Sequence, residues 1–178
     1  MDAHVTPTTQ FAESNIGNGT TVALVVLDER PSKDLGMRAP AGAKISMTQD
    51  FAATMQETVT DGLRAKGFVV KPGVVADAAN LRLEIRSLDY DVEVGFWSGG
   101  VNITTSMKAR ADGLTEEYEK FYRAASEDRA VFYPDAKKNS ESITAVVDDM
   151  LRQFFEDGKL LNVLAADKPM AAMPPLGR

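Results

Sequence analysis

The chain contains no cysteine, which removes disulfides, thiolate nucleophiles and cysteine-built zinc sites together. The redox compartment stays open, because a chain without thiols folds equally well in reducing and oxidising surroundings. Histidine is nearly as scarce. His4 is the single one, and it stands in a polar leader where an imidazole reads as solvated, so no His-dependent catalytic pair or metal site is expected. No apolar run reaches the roughly 18 residues that a membrane-spanning helix needs. The opening MDAHVTPTTQFAESNIGNGT has neither the basic start nor the apolar stretch of a secretory signal. Positive charge is also short: 20 Lys and Arg stand against 26 Asp and Glu, a formal net charge of −6. That balance argues against a broad nucleic-acid footprint and against a polybasic membrane contact.

What is present is ordinary globular composition, 44% hydrophobic and 26% charged over 178 residues, enough for one domain with one core. Residues 1–20, rich in Thr, Asn and Gly, read as a flexible tether. Thr21 to Arg30 is almost continuously apolar from Val22 to Leu27, the pattern of a strand covered on both faces. A loop containing Pro, Gly and Ala is expected to about Lys44. Ser46 and Gln49 have capping-box spacing, and Phe51, Met55, Val59 and Leu63 form one helical stripe that Gly67 ends. Phe68 to Gly73 then reads as a short strand.

Between Leu81 and Val94 the alternation changes phase. Leu81, Leu83 and Ile85 occupy odd positions, whereas Leu88, Tyr90, Val92 and Val94 occupy even ones. One register cannot bury both sets, so a bulge or bend is expected at Arg86 to Leu88. Val101 to Asp112 alternates cleanly, with Asn102, Thr104, Ser106, Lys108, Arg110 and Asp112 on the outer face. Asp112-Gly113 signals a hairpin into a further strand from Thr115 to Ala125. Ile143, Val146, Val147, Met150, Leu151 and Phe154 mark a helix, Gly158 interrupts it, and residues 166–178 read as a loose tail. The fold class is therefore α+β: a two-layer sandwich of order β-α-β-β-β-β-α. It has a largely antiparallel sheet of about five strands, with two helices on one face, in a single domain over 21–165.

Chemistry is thin. Asp28, Glu29 and Arg30 end the first strand, where α/β proteins often hold ligands; the alternative is that Asp28 caps the following loop and pairs with Arg30 on the rim. Asp28 and Glu29 cannot act as an acid–base pair, since neighbours on a strand face opposite ways. Ala39 to Ser46 lacks the spacing of a phosphate loop, and Ser32-Lys33 is not a nucleophile pair. Asp148-Asp149 and Glu156-Asp157 read as the solvent face of the last helix. Phe96 and Trp97, before Ser98, Gly99 and Gly100, put two large aromatics at an expected hairpin tip. That makes them candidate partner-binding residues or, alternatively, a cap on the core.

An apolar strand ending in Asp-x-Arg (Val26, Asp28, Arg30) is followed by Leu35-Gly36 and by a helix ending Leu63 to Gly67-Phe68. With the leucine-bearing segments 81–88 and 160–164, these features resemble the YajG-type bacterial lipoprotein family over roughly residues 20–165. The resemblance implies a soluble mature domain whose lipobox Cys and signal peptide are missing here. That domain would be lipid-anchored through its amino terminus on the periplasmic side of a bacterial membrane, the outer one expected. It implies no enzymatic activity and no cofactor, a non-catalytic binding or scaffold role toward envelope proteins, and a structural part for Asp28, Arg30 and Gly36. Homo-oligomerisation stays open. The alternative function is a small-ligand carrier or hydrolase with its site in the Asp28–Arg38 loop.

Overall fold

The computed structural model describes residues 2–37, 42, 44–94, 99–130 and 136–166. The strands are β1 (Asp2–Ala3), β2 (Thr21–Asp28), β3 (Asp34–Met37), β4 (Lys44–Met47), β5 (Val69–Pro72), β6 (Ala79–Val94), β7 (Gly99–Asp112) and β8 (Glu117–Ala130). The helices are α1 (Phe51–Ala65), α2 (Ala136–Phe155) and α3 (Gly158–Ala165). The α+β layering expected from the sequence is what forms, with eight strands and three helices among the described residues.

The long strand β6 organises the sheet. On one side it pairs antiparallel with β7, which pairs antiparallel with β8. On the other side its first half takes β2 in parallel, and its second half takes β3 through the single ladder pair Gly36↔Tyr90. β5 extends the sheet beyond β2, while β4 and β1 extend it beyond β3. The expected phase change is a register shift: Ile85 faces Met107 and Ser87 faces Ser106, so Arg86 is the extra residue. This bulge keeps both apolar sets of β6 inside, with Leu81, Leu83, Ile85, Leu88 and Tyr90 all buried.

Those residues, with Val101, Ile103, Met107, Ala109 and Ala111 of β7, meet the apolar stripes of the helices in one core. α1 packs on β2 and β5, α2 on β7, β8 and β1, and α3 on the β6–β8 ladder. α1 and α2 come close where the Phe155 ring lies over Gly62; a Cβ there would stand 2.3 Å from Phe155 Cζ. No helix of the described residues is long and apolar enough to cross a membrane.

Three local expectations differ from the structure. α1 is capped by Asp50, whose side chain accepts from Ala53 N–H at 3.0 Å, and not by a Ser46–Gln49 box. Ser46 belongs to β4, and Gln49 instead exchanges two hydrogen bonds with the backbone of Val5. The segment read as a loop to Lys44 contains β3 and β4. Residues 2–20, read as a tether, lie against the domain. Backbone N–H groups of His4, Thr6 and Thr8 donate to Ser140 Oγ, Thr144 Oγ1 and Asp148 Oδ1. Two extended residues rise about 6.6 Å and four helical ones about 6 Å, so alternate amides meet successive turns of α2. Farther on, Ser14, Gly17 and Gly19 donate to the last carbonyls of α1 and its cap, Ala65, Lys66 and Gly67.

Candidate interaction face of the sheet

The Asp28-x-Arg30 motif is a folded unit. Arg30 donates through Nε and Nη2 to the two carboxylate oxygens of Asp28, each at 2.8 Å, and its backbone N–H donates to Asp28 Oδ1 at 3.3 Å. The pair is inside, not on the rim: the side chains are 3% and 13% exposed for Arg30 and Asp28. The Arg30 guanidinium rests over the Phe51 ring at 5.2 Å, and its Nη1 is buried without a hydrogen-bond partner. The hydrogen bond from Arg30 holds the Asp28 carboxyl below its ordinary range, against the effect of burial. Gly36 is there for contact. At φ +152° any Cβ would stand 1.8 Å from the carbonyl oxygen of Tyr90, so only glycine lets β3 join β6.

Acidic residues read as solvent-facing on the last helix have fixed partners. Asp148 accepts from the N–H and hydroxyl groups of both Thr8 and Thr9. Asp157 caps α3 through the amides of Lys159 and Leu160, and also accepts from Tyr118, Lys120 and Tyr122 of β8. Burial alone would raise its carboxyl, but hydrogen bonds from Lys120, Tyr122 and the Leu160 amide outweigh it and hold it at about 2. Burial, with the hydrogen bond to that carboxylate, pushes the Tyr122 phenol well above its usual value.

Among the described residues, no helix covers the opposite face of the sheet. Outward residues of β6, β7 and β8 form ion-paired rows across the strands: Arg82 and Arg86 each bridge Glu29 and Glu84, Lys108 meets Glu119, and Arg110 meets Asp112 and Glu117. Phe121 is the exposed large apolar side chain among them, 46% accessible, with Lys108 and Arg123 over its ring at 5.9 and 5.6 Å. Where the long side chains stop, at the bulge, small ones begin. Ser87 Oγ and Ser106 Oγ are 2.7 Å apart, and with Thr104, Ala125 and Arg123 they line a depression of about 450 Å³. The alternation of β7 made half of this face legible. Its β6 and β8 components depend on the bulge and on the three-strand register. Phe96, Trp97 and Arg38 lie outside the described residues.

The chain belongs to an uncharacterized lipoprotein family, whose model matches residues 7–165. It is therefore assigned to the lipoproteins. No curated protein matches it in sequence. Among solved structures it resembles a Xanthomonas campestris protein of the DUF330 family, at 11% identity and a TM-score of 0.51, over 93% of this chain and 95% of that one. It also resembles a Helicobacter pylori protein described as a neuraminyllactose-binding hemagglutinin homolog, at 10% identity and a TM-score of 0.53, over 89% and 96%. At these identities the likeness is one of fold.

Proposed function

We propose that this lipoprotein is a non-catalytic binding or scaffold module on the periplasmic side of the outer membrane, working through the helix-free face of its sheet. The observation that carries the reading is that face: three long strands, ion-paired in rows, interrupted by a depression at the bulge and bearing a half-exposed phenylalanine. Charged pairs of this kind resist nonspecific stacking of sheets, while aromatic and arginine side chains are the usual anchors of specific contacts. The chemistry-bearing groups elsewhere are engaged in holding the fold, as Asp28, Arg30, Asp148 and Asp157 are.

Phe96 and Trp97 extend the proposal as a second contact, since they occupy the connection between the paired ends Val94 and Gly99. The test is capture from envelope extract by the wild-type chain, by Ser106→Arg, which fills the depression, and by Phe96→Ala/Trp97→Ala. Loss of one discrete partner in Ser106→Arg, at unchanged melting temperature, supports the face. Unchanged capture by both variants removes both contacts from the proposal.

A further inference from the structure

Arg123 stands apart from the other cations on the outward face of β6, β7 and β8. Among the described residues, Arg82, Arg86, Lys108 and Arg110 each have one or two carboxylate partners, whereas the Arg123 guanidinium has none. Its one contact is with the Phe121 ring at 5.6 Å, which orients the guanidinium without neutralising it. The arginine lies on the edge of the depression, next to hydroxyl groups of Ser87, Ser106 and Thr104. The side chains are small at two neighbouring cross-strand pairs, Ser87 against Ser106 and Thr104 against Ala125, and Arg123 stands opposite Ser106 on the other side. The hollow is thus a product of sequence choice at the bulge, a place where strands commonly re-aim side chains toward a function.

We infer that this depression binds a small carboxylate-bearing sugar, and the inference rests on the binding role proposed above. A planar guanidinium with free donors matches a carboxylate in a two-bond geometry. Ser and Thr hydroxyls both donate and accept, which suits the hydroxyl groups of a sugar. Two strands away on β6, Asp89 faces the same side as its register partner Thr104. It stands about 10 Å from the β8 row, at about 4.8 Å per strand. An acid at that end repels a carboxylate and accepts sugar hydroxyls, so the ligand is held in one direction, its carboxylate at Arg123. A volume of about 450 Å³ is within the range of small-molecule sites.

Two envelope or cell-surface sugars share this chemistry, N-acetylmuramic acid and N-acetylneuraminic acid, and N-acetylglucosamine is the neutral control that lacks the carboxylate. Titration calorimetry on the whole chain should show binding of one or both acids and at least tenfold weaker binding of the neutral sugar. Arg123→Gln should weaken the acid about 10- to 100-fold, as expected for a lost charge-assisted hydrogen bond, with no change in melting temperature because the side chain is exposed. Arg123→Lys should recover part of it. Whichever acid binds more tightly identifies the source. Equal affinity for acid and neutral sugars, an unaffected Arg123→Gln, or no binding of any of them overturns the inference. Persistent capture of a protein partner that Ser106→Arg abolishes would show the wider binding role intact in that case.

Discussion

At the scale of single residues, two partly buried carboxylates carry sharp consequences. Asp28 neutralises a guanidinium that is 3% exposed, so removing it strands a charge in the core. Asp28→Ala should cost about 3 kcal/mol, the lower end for a broken buried pair, because the carboxylate keeps 13% exposure. Thermal unfolding should fall by about 6–12 °C at this chain length. Asp28→Ala/Arg30→Met should be less damaging than Asp28→Ala alone, since the methionine keeps the stem over Phe51 and removes the stranded charge. A double variant as unstable as the single one would contradict the pairing. Asp157 gives a pH signature. Its carboxyl is lowered from 3.8 to about 2 on folding, so its contribution is fully present above about pH 4 and is lost as the pH falls through about 2. The difference amounts to about 2 kcal/mol. Asp157→Asn should therefore be clearly less stable than the wild type at pH 6, and the gap should close in melts taken toward pH 2. A gap independent of pH would mean that the carboxylate's charge plays no part.

At the scale of elements, the sequence was most legible where one period dominates. The Phe51–Leu63 stripe, the phase change of β6 and the alternation of β7 each follow from burying one face, and each appears at the expected residues. Illegible were elements set by distant partners. β3 and β4 are four residues each and exist because β6 and β1 offer edges; no local periodicity of that length competes with a segment containing Pro, Gly and Ala. The amino-terminal segment has linker composition, yet its threonines and amides find acceptors on α2. Asp157 looked like part of a solvent face until Gly158 broke the helix and made it a cap. The same limit applies to the candidate site: Ser106 could be placed on an outer face, but the absence of an acid opposite Arg123 needs the register of three strands. One prediction belongs here. Asp148→Ala removes the acceptor of the Thr8 and Thr9 amides. Their hydrogen exchange should accelerate by about tenfold or more, the worth of one or two net hydrogen bonds. Gly17 and Gly19, bonded to the end of α1, should keep their protection. Equal acceleration at all four would mean that the segment docks as one cooperative piece.

At the scale of the whole molecule, the layers divide the labour. One face of the sheet takes the helices, the amino-terminal segment and every buried apolar side chain of β7. The other stays open, and among its described residues Arg82, Arg86, Lys108 and Arg110 are ion-paired within the chain while Arg123 is not. Such a surface still has a hollow at the bulge and an unmatched arginine beside it to offer. The role proposed for it, as a contact surface in the bacterial envelope, is most directly tested by photo-crosslinking. A photoreactive residue is placed at Ser106 on the open face and, separately, at exposed Glu57 on α1, and each chain is irradiated in intact envelopes. A binding face gives a discrete adduct from position 106 that competing unlabelled chain suppresses, and none from position 57. The same adducts from both positions, or none from 106, would contradict it.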